Sequence, residues 1–429
     1  MNVLFPLVAA SYSHPMTLKT IADTLLFRIV VAIILGIVCS LFFPDWLGRV
    51  FVTFNGLFSN FLNLFIPVLI FALITPAIAG IGRGAGKWLG ITAGIAYAST
   101  VISGLIAFGV ATATYSWLLG DDKLGTLADI DEGALTTFFD IEMPAPFEVM
   151  TALILAFCVG LAMTAVKSDV LYAGVRELEG IVMKVIKVFI IPLLPVFIFG
   201  MFVSMGMNGN LMDVVSAFVK VLVLAVVMTI LLIIAQYLLT GAITKVNPFT
   251  ALWNMMPAYA TALGTSSSAA TIPVSLECTK KNGVTPAVAG FTVPLCATIH
   301  LAGSMMKITL FSLAVIHMFD LDISTGKFIG FLLLLGIMMV AAPGVPGGAI
   351  MAAVGVLQDQ LGFNAEQVAI MIAAYIAIDS FGTAANVTGD GAIALIVNRL
   401  SGGKLGEGID SREADIDAVV ATDITEQRN

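Results

Sequence analysis

Two carboxylates lie in one apolar stretch near the end of the chain, Val368 to Arg399, where charged side chains are rare. Asp379 and Asp390 flank Asn386 there. In an α-helix the three polar side chains fall within about 40° of arc on one face, and Thr383 lies close by. A carboxylate inside a membrane is costly unless it is paired or hydrated, so the default hypothesis for it is a functional one. The alternative is an internal salt bridge with Lys307.

A second group of polar residues follows Thr298 in an apolar stretch that runs from Pro286 to Phe319. Gly303 can unwind a helix and so free carbonyl groups for a cation. The imidazole of His300 can exchange a proton near neutral pH, or it is simply a hydrogen-bonded helix residue. Lys307 is a counter-ion for an intramembrane aspartate, a proton-coupling group, or a side chain that reaches the membrane interface.

Two further apolar stretches are interrupted in the middle. In Leu252 to Leu276 the interruption is Thr265 followed by Ser266, Ser267 and Ser268. Each arm of about 12 residues rises about 18 Å, which is too short for a hydrocarbon core of about 30 Å. We therefore predict a hairpin that enters the membrane halfway. The serine hydroxyls and the free N–H groups of a half-helix would attract a carboxylate.

The second interruption, at 342–348, contains two prolines and three glycines and lies within Phe328 to Leu357. Such a segment cannot continue a helix. Irregular backbone at membrane depth survives only when it is buried in protein or lines a cavity. Each predicted hairpin is followed by a helix with intramembrane polar residues, which predicts an inverted repeat. Paired interrupted segments of this kind indicate a transporter's binding site.

The composition places these elements in a membrane. The chain has 429 residues, of which 59% are hydrophobic and 11% charged, against about 25% charged in soluble domains. Its apolar runs are continuous and reach the roughly 20 residues of a membrane-spanning helix, whereas barrel strands would alternate. The sequence predicts an all-α polytopic membrane protein with eight transmembrane helices plus two re-entrant helical hairpins.

The same data exclude other classes of function. The net charge is −8 and no basic stretch is present, which argues against a nucleic-acid partner. We find no metalloprotease pair, nucleophile elbow or phosphate loop, so an enzyme is not expected. A channel would show repeated rings of one residue type in its lining.

Charge patterning predicts the organisation of the chain. Basic residues cluster at 83–87, 167 and 280–281, while 121–142 is acidic, which places the first set in the cytoplasm and the acidic loop outside. We predict a multi-pass protein of the inner (plasma) membrane. Its parts are an N-terminal extension (1–23), a six-helix half that is mainly scaffold (24–240), a transport core (241–400) and an acidic cytoplasmic tail (401–429).

Four motifs carry a resemblance to a known family: TSSSAATIPVS at 265–275, PLCATIHLAGS at 294–304, PGVPGGAIM at 343–351 and DSFGTAANVTGD at 379–390. With them the chain resembles the dicarboxylate/amino acid:cation symporter family, the glutamate-transporter homologues. The resemblance implies a homotrimer in the lipid bilayer, with a static scaffold, a moving transport core and the two hairpins as gates.

The resemblance also implies roles for individual residues. Asp379 matches a position that holds a substrate amino group, and Asn386 and Asp390 match ligands of a coupling Na⁺. Substrate contacts are implied at Ser266, Ser267, Ser268, Ser304, Val345, Gly347, Asp379, Thr383 and Asn386.

Two departures from the family pattern shape the predicted function. Gly382 stands where members with acidic substrates carry an arginine, so a substrate's side-chain carboxylate would be buried without a partner. The family's Asn-Met-Asp-Gly-Thr segment reads here as 300–304, His-Leu-Ala-Gly-Ser, so two cation ligands are absent. We expect fewer bound sodium ions, with Lys307 substituting for one, or proton coupling through His300.

The predicted function is therefore a cation-coupled symporter of a small carboxylate-bearing solute, a neutral amino acid. The coupling ion is Na⁺ and/or H⁺, and no other cofactor is expected. The alternatives are a dicarboxylate symporter, or an uncoupled channel or sensor derived from the family.

Overall fold

The structure is a computed structural model, and it describes residues 25–84, 86–120, 135–166, 169–207, 211–344 and 346–405. The predicted N-terminal extension lies outside the described residues. Three further parts also lie outside the described residues: positions 121–134 of the acidic segment 121–142, the tail beyond Leu405, and Val345 at the second predicted hairpin tip.

All regular secondary structure in the described residues is helical, as the continuous apolar runs predict. The first seven helices are α1 Leu25–Ser40, α2 Asp45–Gly84, α3 Gly86–Leu118, α4 Val149–Val166, α5 Asp169–Val185, α6 Ile191–Met207 and α7 Leu211–Thr244, with a π-helical turn at Ile186–Ile190 between α5 and α6. The remaining helices are α8 Pro248–Asn254, α9 Met256–Thr265, α10 Ser268–Lys281, α11 Pro286–Ile299, α12 Ala302–Met318, α13 Thr325–Ala341, α14 Gly348–Leu361, α15 Ala365–Ala377 and α16 Asp379–Ser401.

Within the described residues, six spans are long and apolar enough to cross a membrane. A seventh is obtained if α15 and α16, which meet at an angle of 62°, are counted as one span. The protein is therefore a polytopic helical membrane protein. The helices α1 and α13 are also apolar but shorter.

Burial distinguishes the interior helices from the peripheral ones. The most apolar window of Pro286–Met318 is 89% buried, whereas that of Val149–Val166 is 28% buried. Large apolar side chains such as Ile34, Ile102 and Val223 are more than half exposed, which suits helices that face lipid. The chain segment with His300 and Lys307 thus lies inside the protein.

Two pairs of helices fold back on themselves. The first pair, α9 and α10, is joined by a turn in which Ser266 adopts a left-handed backbone with φ +49°. The Ser267 hydroxyl caps α10 by accepting from the N–H of Ala270 at 3.3 Å. The second pair, α13 and α14, is joined by residues 342–347, and Gly347 has φ +74°. A glycine adopts that conformation without the strain of a Cβ.

Two other helix pairs are broken rather than reversed. The break between α11 and α12 lies at His300–Leu301, and the break between α15 and α16 lies at Ile378. α12 and α16 pack closely near these breaks. A Cβ added to Gly303 would lie only 2.6 Å from the carbonyl oxygen of Gly382. The glycine permits this approach.

Several helices of the predicted scaffold half pack against the second half, and two of them, α3 and α7, contact its broken helices. α3 packs against α12, where the Ser103 hydroxyl donates to the carbonyl of Ala302 at 2.7 Å. α7 packs against α16, where the Tyr237 hydroxyl donates to the carbonyl of Thr388 at 2.9 Å. The division of the chain at residue 240 stays a prediction, and these contacts join α3 and α7 to the core helices.

Candidate functional site

Asp379 begins α16 directly after the break at Ile378, and its side chain is buried. The N–H of Gly347, at the turn between α13 and α14, donates to its Oδ2 at 2.8 Å. Its Oδ1 lies 3.5 Å from the Nζ of Lys307. The carboxylate is thus held between the turn of one helix pair and a lysine of another helix.

Lys307 is 0% exposed, although lysine is almost never fully buried without partners. Besides Asp379 Oδ1, its ammonium group donates to the carbonyl of Ile378 at 3.2 Å and to that of Asp379 at 3.5 Å. It also lies 3.8 Å from the ring centroid of Tyr375. Oxygens at a broken helix and an aromatic face therefore surround this positive charge.

Gly382 provides the space for the lysine. A Cβ added at position 382 would overlap the Cε and Nζ of Lys307. A larger residue at this position, such as the arginine that the resemblance places there in members with acidic substrates, would therefore require the end of the Lys307 side chain to move.

Asn386 connects α16 to the start of α12. Its Oδ1 accepts from the N–H groups of Gly303 at 2.7 Å and Ser304 at 3.4 Å, and its Nδ2 donates to the hydroxyl of Ser304 at 3.1 Å. The first N–H groups of a helix have no partner within that helix, so Asn386 caps α12 from a neighbouring helix. The hydroxyl of Tyr375 donates to the same Ser304 oxygen at 2.8 Å.

His300 and Asp390 form a second buried pair, with 2.9 Å between Nδ1 and Oδ1. When the carboxylate is ionised it only accepts hydrogen bonds, and Nδ1 then carries the proton. The other ring nitrogen lies 3.0 Å from the hydroxyl of Ser99 on α3, to which Gln236 on α7 donates at 3.1 Å. The described residues contain no cluster of three or more His, Cys, Asp or Glu side chains that could hold a metal ion.

The turns of the two reversed helix pairs meet above these groups. The Ser267 hydroxyl donates to the carbonyl of Gly344 at 3.0 Å. A small cavity lies beneath the contact, with Asp379 and Thr383 in its wall. Its other lining residues are Ser266, Ser268, Leu301, Ser304, Pro343, Gly344, Ala349, Tyr375 and Asn386. Carboxylate, hydroxyl and amide groups thus converge on one small cavity.

Most of the residues proposed from the sequence as substrate contacts lie at this cavity or its closure. Gly347 contacts Asp379, and Ser267 joins the two turns. Asp390 lies further along α16, His300 lies at the break between α11 and α12, and neither residue lines the cavity. Sequence reasoning missed Tyr375 and Gln236. A lone amide in the apolar run of α7 is the signal that points to Gln236.

Two facing turns and two broken helices around buried charged groups are the arrangement of a secondary transporter's binding site. The fold and the site therefore define a membrane transporter. The model of the sodium:dicarboxylate symporter family matches residues 25–400, and the chain belongs to this family.

Relatives with curated descriptions include amino acid transporters of two kinds. The chain is 26% identical over 347 residues to the serine/threonine transporter SstT of Acinetobacter baumannii (strain AYE), covering 76% of this chain and 84% of the relative. It is 31% identical over 170 residues to the rat excitatory amino acid transporter 1, covering 39% and 31%. It is 35% identical over 160 residues to the bovine excitatory amino acid transporter 3, covering 37% and 30%.

Proposed function

We propose that this protein is a cation-coupled symporter that carries a neutral amino acid by alternating access. The observation that carries the proposal is the cavity between the two turns. Asp379 offers a carboxylate there, and position 382 is a glycine where the resemblance implies an arginine in members with acidic substrates. A substrate ammonium group would bind Asp379. A substrate carboxylate would bind the serines at the start of α10.

Charge complementarity supports a neutral substrate over an acidic one. The wall of the cavity holds hydroxyl and amide groups beside Asp379, and the cation nearest to that carboxylate is Lys307, behind it. A second substrate carboxylate would be buried without a dedicated partner, which is unfavourable. The similarity to a protein described as a serine/threonine transporter points the same way.

The proposal includes a finer architecture than the helices alone define. We propose eight transmembrane helices, with α9–α10 and α13–α14 as re-entrant hairpins related by an inverted repeat. In this proposal the hairpin tips act as gates. The hydrogen bond from the Ser267 hydroxyl to the Gly344 carbonyl, which joins the two tips, supports this role. We further propose a homotrimer in the inner membrane, as the family resemblance implies.

For the coupling ion, we propose sodium in smaller number than in relatives that keep the full cation segment. The Oδ1 of Asp390 is already within 2.9 Å of the His300 imidazole, and the Oδ1 of Asn386 already accepts two N–H groups. Both oxygens are therefore engaged by donors that would compete with a sodium ion at this place. Proton coupling through His300 is the alternative.

Two measurements on the purified full chain test the substrate and the ion together. The first is the thermal stability with a panel of neutral amino acids, acidic amino acids and dicarboxylates, with and without sodium. Bound ligands raise apparent stability by mass action. The second is uptake into proteoliposomes under a sodium or a proton gradient.

We expect a neutral amino acid to stabilise the protein and to be taken up with sodium. Stabilisation by succinate alone would favour the dicarboxylate alternative, and flux without coupling would favour a channel.

The variant His300→Asn tests the coupling part separately. Asparagine restores the residue type of the family segment and removes the imidazole from Asp390, so we expect steeper dependence of uptake on sodium concentration. His317→Asn is the matched control, because His317 lies near the far end of α12 and contacts the carbonyl of Gly120. An unchanged sodium dependence in His300→Asn would contradict the proposal that the imidazole competes with sodium at Asp390.

A further inference from the structure

The position of Lys307 inside the site points to a role in the transport cycle. We propose that Lys307 is a built-in counter-ion of Asp379, which keeps this carboxylate paired when no substrate ammonium group is bound and lets the core cross the membrane without substrate. The inference rests on the proposed function, because it takes a substrate ammonium group as the other partner of Asp379.

The ammonium group of Lys307 is held independently of the Asp379 carboxylate. Two backbone carbonyls, of Ile378 and Asp379, and the ring of Tyr375 contact it at 3.2, 3.5 and 3.8 Å. The ion pair with Oδ1 is a fourth contact, at 3.5 Å. The lysine can therefore keep its place when the carboxylate turns toward another cation.

The carboxylate is held from two sides by groups that can separate. Gly347 donates to Oδ2 from the turn that closes the cavity, and Lys307 faces Oδ1 from the helix behind it. Opening of that turn removes the Gly347 N–H and exposes Oδ2 to a substrate. The lysine remains as the positive charge beside Asp379 at every stage.

A buried carboxylate needs such a partner whether or not substrate is bound. Removing one member of a buried ion pair is strongly destabilising, because the other charge stays buried without compensation. A substrate with an ammonium group brings the partner with it during loaded crossing. During the empty return Lys307 supplies it, because among the described residues the ion pair of Asp379 is with Lys307.

The glycine at position 382 makes room for the pairing of Lys307 with Asp379. Its missing Cβ leaves the space that the end of the Lys307 side chain fills. Any side chain at 382 would force the ammonium group out of its present position. The positive charge beside Asp379 therefore comes from Lys307 on α12. It does not come from a side chain at position 382 on α16.

The consequence is a difference between two modes of transport. Exchange of labelled for unlabelled substrate needs only loaded crossings, in which the substrate ammonium group pairs with Asp379. Net uptake needs the empty return as well. Loss of the lysine should therefore slow net uptake much more than exchange.

The experiment compares the two modes in proteoliposomes that contain the full chain and a neutral amino acid as labelled substrate. In Lys307→Met we expect net uptake to fall roughly a hundredfold more than exchange, as expected for an unpaired buried charge in the empty return. Gly382→Ala displaces the ammonium group without removing it and should shift the ratio in the same direction. Lys327→Met, at an exposed lysine, is the control and should leave the ratio unchanged.

The outcomes separate this inference from the proposed function. Equal losses of exchange and net uptake in Lys307→Met, or unchanged net uptake, overturn the inference while wild-type exchange still supports the function. Wild-type protein that exchanges no neutral amino acid overturns both. If Lys307→Met shows no cooperative thermal transition, Gly382→Ala decides, and a ratio equal to wild type in that variant counts against the inference.

Discussion

At the scale of single residues, the site is organised by which cation stands beside which carboxylate. Lys307 pairs with Asp379, and His300 pairs with Asp390. Both pairs are buried, so each partner strongly affects the free energy of the other. The absence of a side chain at Gly382 decides the first pairing, because any Cβ there would meet the lysine.

A residue swap tests this steric exclusion. The double variant Gly382→Arg with Lys307→Met moves the positive charge from α12 to α16, where it can reach a substrate's second carboxylate. We expect the double variant to gain affinity for an acidic amino acid by roughly tenfold to a hundredfold, the size of a charge-assisted hydrogen bond. Isothermal titration calorimetry with aspartate and serine measures both affinities.

The single variant Gly382→Arg serves as the control for the swap. Its arginine has no room while Lys307 is present, so it should be less stable than the double variant. Equal stability and equal aspartate affinity in the single and double variants would contradict the steric argument.

At the scale of helices, the site depends on turns and breaks that lie opposite one another. Asn386 on α16 supplies the cap that the start of α12 lacks, and Ser267 both caps α10 and contacts the opposite turn at Gly344. Asn386 thus caps a broken helix and also lines the cavity, so we expect a structural role and a binding role to coincide in this residue.

The contact between the turns is tested by Ser267→Ala. The variant loses the helix cap and the hydrogen bond to Gly344, so we expect lower stability and a substrate dissociation rate about fivefold faster, from a loss of about 1 kcal/mol. Ser324→Ala is the matched control, because Ser324 also caps a helix, with 3.3 Å to the N–H of Lys327. Stopped-flow release of substrate measures the rate. If both variants release substrate equally fast, the contact between the turns does not act as a gate.

At the scale of the whole molecule, the helices pack in two groups. α1, α2, α4, α5 and α6 pack mainly with one another, while α3 and α7 pack on α12 and α16. The first group meets the rest of the protein where α2 packs on α13 and α14 and where α1 and α6 pack on α15. One such contact is Gly355 of α14 against Ile66 of α2. Alternating access predicts that the two groups move relative to each other at such places.

A disulfide across this boundary tests the movement. Cysteines at Ile66 and Gly355, in a background without the four native cysteines, lie close enough for a bond. We expect oxidation to stop transport while substrate binding continues, and reduction to restore transport. The control pair is Ile78 and Gly160, within the first group, where the Cβ atoms are 2.9 Å apart when one is added to the glycine. Transport that continues in the oxidised Ile66 and Gly355 variant would contradict movement at this boundary.

Much of the protein is readable from the sequence because the signals are local. Long apolar runs indicate membrane helices, and the Pro- and Gly-rich segment at 342–348 indicates a reversal without reference to anything distant. The structure confirms a polytopic helical protein, and the family match confirms the resemblance stated from the four motifs. The number of eight transmembrane helices stays a prediction, because the described helices include six or seven spans by length and composition.

The sequence by itself determined which residues are polar in an apolar chain, and where its helices break. It left open which aspartate Lys307 faces, and whether His300 faces one at all. Only the tertiary structure decided these pairings, since they join residues 72 and 90 positions apart. It also brought in Gln236 from a helix that sequence reasoning assigned to the scaffold. Burial and helix breaks follow from neighbouring residues, whereas the partner of a charge depends on how distant helices pack.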